Sequence, residues 1–76
     1  MIKVVNNQQP FQVIQDSFAF TVPYAATVKV YMSADGINYY PYKEDITTPD
    51  TVIVGGCVSD MYFYIDGITE SVNVML

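Results

Sequence analysis

Hydrophobic positions in this chain recur at every second residue, in short runs broken by turn-forming residues. That period is the mark of a half-buried strand, whose successive side chains point to opposite faces. The clearest case is Ala26 to Tyr42, ATVKVYMSADGINYYPY. Two alternating runs flank Asp35-Gly36, a dipeptide suited to the positive φ angles of a tight hairpin turn. A two-residue loop there pairs Ala34 with Ile37, Met32 with Tyr39 and Val30 with Pro41. Directly opposite residues share a face. One face then holds Val28, Val30, Met32, Ile37 and Tyr39, and reads as core. The other holds Lys29, Tyr31, Ser33, Asn38, Tyr40 and Tyr42. A four-residue loop would keep these faces, whereas a three-residue loop would turn one strand over.

Asp66-Gly67 predicts a second hairpin of the same kind. It places Met61 opposite Val72, Phe63 opposite Glu70 and Ile65 opposite Ile68, with Val74 and Leu76 continuing the apolar face. Glu70 interrupts that face, which puts it at a rim or the register out of step. The opposite face holds Asp60, Tyr62, Tyr64, Thr69, Ser71 and Asn73. Both hairpins thus sort aliphatic residues inward and tyrosines outward.

The remaining segments fill in a β domain. Met1 to Val5 reads as an edge strand, broken by the amide run Asn6-Asn7-Gln8-Gln9 and by Pro10, which cannot donate to a ladder. Phe11 to Gln15 resumes the pattern, and Phe18, Phe20 and Val22 form one face of a third strand that Pro23 closes. Lys43 to Asp50, KEDITTPD, reads as a polar loop. Thr51 to Val54 is a short strand stopped by Gly55-Gly56, and Cys57 to Asp66 is the next. No segment keeps a 3.6-residue period long enough for a helix. The expected fold is all-β: a single domain over residues 1–76, a small antiparallel β-sandwich of about six or seven short strands, immunoglobulin-like in a loose sense. A small β-barrel is the alternative.

Composition narrows the function. The chain has 76 residues, 51% hydrophobic and only 14% charged. A soluble domain usually has about a quarter of its residues charged. A chain this short cannot bury so much apolar surface by itself, so self-association or docking on a larger body is expected. The net charge is −5, with Lys3, Lys29 and Lys43 the only cations. Three scattered lysines make no phosphate-binding patch, which excludes nucleic acid and anionic membranes as partners. No apolar run approaches the roughly 18 residues that span a bilayer. The start, MIKVVNNQQP, turns polar after Val5, too soon for a signal peptide. The expected place is the cytoplasm in which the chain is made, unless an assembly carries it out.

Candidate chemistry is sparse. The chain contains no histidine and one cysteine. Cys57 lacks a base to make it a nucleophile and reads as a small buried hydrophobe. Zinc needs more Cys or His ligands than this. Glu44, Asp45 and Asp50 could offer hard oxygens to calcium, but their spacing fits no EF-hand. They and Asp60, Asp66 and Glu70 read as solvated turn and loop residues, so neither catalytic, cofactor nor metal residues are expected. The feature above background is the tyrosine surface: Tyr31, Tyr40 and Tyr42 on one hairpin, Tyr62 and Tyr64 on the other. Such rings suit protein interfaces and sugar-binding faces. They also stabilise sheets by cross-strand pairing, here Tyr31 with Tyr40.

Ser33-Ala34-Asp35-Gly36-Ile37-Asn38-Tyr39 follows a V-x-V-x-x-S strand. This pattern resembles small β-sandwich virion proteins of tailed bacteriophages, namely capsid decoration (auxiliary capsid) proteins and the head-binding domains of head fibres. The run Gly55 to Phe63 and the Asp66-Gly67 turn are similar in style. The resemblance implies a non-enzymatic structural protein of the virion, made in the host cytoplasm, that binds the capsid shell or other virion proteins. It also implies a homo-oligomer, often a trimer. The runner-up is a small carbohydrate-binding module using the tyrosines.

Overall fold

The computed structural model describes residues 1–56 and 58–76, so the expectation of a buried Cys57 lies outside it. It contains six strands: β1 (Ile2–Val5), β2 (Phe11–Gln12), β3 (Phe18–Ser33), β4 (Tyr40–Val54), β5 (Tyr62–Asp66) and β6 (Val72–Met75). Among the described residues there is no helix, and hence none able to cross a membrane. All strands belong to one antiparallel sheet, bent until it is nearly closed. The chain is all-β, and the small barrel is the architecture observed.

β3 organises the sheet. Along one edge it pairs with β4, from Phe18 opposite Val54 to Met32 opposite Tyr40. Its other edge is shared. β6 takes Ala19 and Phe20, and β5 takes Lys29 to Ser33. β1 then adds to β6, and β2 to β5. The sheet therefore folds into two layers, β4-β3-β6-β1 and β4-β3-β5-β2, with β3 and β4 running through both. The bend falls at a register shift between Val22 and Ala26. Pro23 sits there, and a bulge is where a residue without an N–H is tolerated inside a strand. Strands that switch layers through such bends are the corners of orthogonally packed sheets.

Between the layers lies one core. The inward positions of alternating strands are all buried: Phe18, Phe20 and Val22; Val28 and Val30; Val52 and Val54; Phe63 and Ile65; Val72 and Val74. β-branched and aromatic residues dominate them, as a pleated surface packed on one side favours. Phe18 of the first layer meets Phe63 of the second with ring centroids 4.8 Å apart, and Phe11 meets Phe18 edge-on at 5.3 Å. Geometry of this kind adds about 0.5–1.5 kcal/mol per pair beyond area burial.

Several expectations are corrected. Pro23 does not close its strand, since β3 continues through it to Ser33; the strand expected over Phe11 to Gln15 is only Phe11–Gln12, and β5 begins at Tyr62. Asp66-Gly67 does not make a hairpin, because β5 and β6 do not pair with each other but take separate stretches of β3. The chain between them is held by distant side chains. Asn7 Oδ1 accepts the amides of Gly67 (2.7 Å) and Ile68 (3.1 Å), and the Tyr24 hydroxyl accepts those of Thr69 and Glu70. Glu70 is exposed and faces no strand, which resolves its misfit.

Lys43 to Asp50 is strand, not loop. On the outer edge of the sheet, charges and prolines cost little, because no further strand needs their N–H groups. Asp45 at φ 55 and the cis Thr48-Pro49 bond mark its irregular middle.

The Asp35-Gly36 loop is longer than a two-residue turn and shifts the register by one, pairing Met32 with Tyr40 instead of Tyr39. Side chains set this length. Asp35 Oδ1 accepts the Ser33 hydroxyl (2.8 Å) and the amides of Ile37 and Asn38 (both 2.9 Å), while Oδ2 accepts the Asn38 side-chain amide. An aspartate that gathers its own following amides builds a wider turn than the bare dipeptide suggests. Ile37 consequently lies exposed at the loop and not in the core.

Candidate interaction surfaces

The register shift splits the predicted tyrosine face. Tyr31 and Tyr64 are direct partners across β3 and β5, and their rings stack at 4.7 Å with 14° between planes. Tyr31 is thus paired with Tyr64 and, on its other side, with Pro41, not with Tyr40. Tyr39, expected in the core, instead reaches over from the loop and tilts onto Tyr64 at 5.0 Å. Tyr62 lies beneath the same loop, where a Cβ on Gly36 would sit 3.4 Å from its ring. Tyr31, Tyr39 and Tyr64 therefore cover the outside of the second layer by packing on one another, with Tyr62 beside them under the loop. Burial raises the phenol pKa values of Tyr39 and Tyr64 above the ordinary value. Lesser contributions come from Tyr62 and Asp35 for Tyr39, and from Tyr31, Asp66 and Tyr39 for Tyr64.

Tyr40 and Tyr42 are elsewhere. Tyr40 opposes Met32, on the parity of the core, and is 67% exposed at the rim. Tyr42 is the extra residue where the pairing steps from Pro41 to Lys43, and its ring meets Phe63 edge-on at 6.2 Å. The five predicted residues thus form a three-residue cluster and a separate two-residue rim.

A second surface, which the sequence reading did not single out, covers the outside of the first layer. The registers align Ile53 with Ala19, Ala19 with Met75, and Met75 with Ile2, one row across four strands. Of these, Ile53 (68%), Met75 (59%) and Ile2 (62%) are largely exposed. The neighbouring row is made of the pairs Thr51–Thr21 and Asn73–Val4, which meet at a common groove, with Val4 57% exposed. Neither row contains a charged residue. Ala19 is small, and beside it a shallow groove of about 380 Å³ opens between Thr21, Pro23, Thr51, Ser71 and Asn73.

The signal for this face was present in the unbroken apolar runs Val52-Ile53-Val54 and Val74-Met75-Leu76. An alternating strand buries one side only, so a run without polar partners leaves apolar side chains on the other.

The carboxylates Glu44, Asp45 and Asp50 are strung along β4 rather than gathered in a loop. Among the described residues, no three His, Cys, Asp or Glu side chains come together as a metal site would require. Among those residues β4 also pairs with β3 alone, leaving a long sheet edge. Compared with known proteins, the chain matches no family model, no curated protein and no solved structure.

Proposed function

We propose that this chain is a non-enzymatic structural protein that acts by binding other proteins, as a virion component of the tailed-phage type that binds the capsid shell and associates with further copies. The observation that supports this reading is the charge-free row Ile53, Ala19, Met75 and Ile2 on an otherwise acidic domain. Contiguous exposed apolar area of this kind marks interaction surfaces, since monomers leave little of it in water. A decoration or head-fibre role needs a compact module that meets further copies through one surface and leaves others for the shell, and an 8.5 kDa β domain suits it.

Purified particles of a phage encoding the chain test the reading by quantitative mass spectrometry and by rebinding to stripped heads. Stoichiometric presence and saturable rebinding are expected, whereas absence from particles together with no rebinding defeats it. The exposed Tyr40 favours a second reading, a carbohydrate ring stacked at the rim. Binding on a glycan array that is lost in Tyr40→Ala would establish it.

A further inference from the structure

We infer that the outer face of the first layer is a contact between two copies of this chain, packed sheet against sheet about a two-fold axis. The inference deepens the self-association proposed above and rests on it only for the premise that copies meet.

Charge argues for a second copy as the occupant. Two molecules of net charge −5 repel unless the surfaces that meet are uncharged. The row Ile53-Ala19-Met75-Ile2 and, beside it, the pairs Thr51–Thr21 and Asn73–Val4 satisfy that condition across the full width of four strands. A basic partner would gain more elsewhere, along the carboxylates of β4.

Area argues the same way. Four side chains more than half exposed, each able to bury on the order of 100 Å², form a patch of roughly 400 Å². With the flanking threonines, Asn73 and Pro23, the face approaches the roughly 800 Å² per partner of a standard interface.

Shape completes the case. A two-fold contact requires one surface to complement itself. Here a ridge of Ile53 and Met75 borders a groove at Ala19 and Thr21, so each copy can offer its ridge to the other's groove. Two such faces would lie about 10 Å apart, as in a β-sandwich.

Pairing through the edge of β4 fits less well. Beyond Pro49, the amide of Thr51 is already taken by the Asp50 carboxylate at 2.8 Å. Prolines and charges occupy the rest of that edge: Pro41, Lys43, Glu44 and Asp45. These are devices that discourage strand addition.

Sedimentation equilibrium of the intact chain, from about micromolar upward, tests the inference. A mass of two chains is expected. Ile53→Asp and Ile53→Lys should each weaken association by about a hundredfold or more while leaving the circular dichroism spectrum unchanged. Tyr40→Ser should leave association unaltered. A wild-type monomer, or an Ile53→Asp dimer of undiminished affinity, overturns the inference. So does selective slowing of hydrogen exchange at the Thr51 to Val54 amides, the signature of strand addition. Absence from virions would defeat the virion reading and leave this dimer standing.

Discussion

Tyr24 grips Glu70 from both sides: its hydroxyl donates to the Glu70 carbonyl at 2.9 Å and accepts the Glu70 amide at 3.0 Å. The same oxygen accepts the Thr69 amide at 3.1 Å. The bend of β3, where Tyr24 lies, is thereby tied to the connection between β5 and β6. Tyr24→Phe keeps the ring and removes all three bonds. Because water can reach the freed groups, the expected loss is about 1–2 kcal/mol, or a fall of about 4–8 °C in Tm per kcal/mol for a domain of this size. Thermal unfolding followed by circular dichroism measures it.

Gly67 should tolerate no side chain. Its φ is +98°, and a Cβ there would run into the carbonyl oxygen of Thr27, which is backbone and cannot swing aside. Gly67→Ala is expected to cost about 2 kcal/mol or more, combining left-handed strain with displaced strand backbone. Gly36→Ala should cost less, about 1 kcal/mol, since its Cβ would only touch the Tyr62 ring at 3.4 Å. Urea unfolding midpoints of the two variants should rank in that order.

Asp35 makes the loop sensitive to acid. The amides of Asn38 and Ile37, then the Ser33 hydroxyl, hold its carboxyl well below the usual carboxylate range. A carboxylate whose pKa is lowered by folding stabilises the fold above its unfolded value of about 4, and that stabilisation is lost as pH falls further. Asp35→Asn should therefore be less stable than wild type near neutrality, and the gap should narrow on acidification. Denaturant titrations at several pH values check this. A gap that is constant with pH would exclude the ionised carboxylate as the cause.

The tyrosine cluster sets the alkaline limit. Folding raises the phenol pKa values of Tyr39 and Tyr64, chiefly through burial. Their contribution is complete below the unfolded value of about 10 and is lost as pH rises beyond it. Ultraviolet difference titration should show two phenols ionising late in the folded protein. In Tyr31→Ser, which removes the stacked ring, Tyr64 should ionise earlier.

The inward faces were legible in the sequence because alternation depends only on neighbouring residues. Phe18, Phe20, Val28, Val30, Phe63, Ile65, Val72 and Val74 are buried as their spacing requires. What failed depended on distant partners. Asp66-Gly67 looks like any hairpin turn until Asn7 and Tyr24 claim the following amides. Lys43 to Asp50 looks like a loop because an edge strand has little need of apolar side chains. Tyr40 was parted from the other tyrosines by a turn length that Asp35 and Asn38 decide through their side chains. The row from Ile53 to Ile2 was legible only in part: the apolar runs Val52-Ile53-Val54 and Val74-Met75-Leu76 mark exposed apolar side chains, but not their alignment. It joins residues from four strands, and no one of them holds more than a single exposed apolar side chain of that row.

The passage of β3 through both layers also governs how the molecule comes apart. A protein built from two separate sheets can lose one and keep the other. Here, opening either layer strips one half of the same strand and exposes the phenylalanines against which the other layer is packed. The interior amides should therefore exchange with solvent through a single global opening, as one cooperative unit. A ligand that clamps either face would slow exchange throughout the interior.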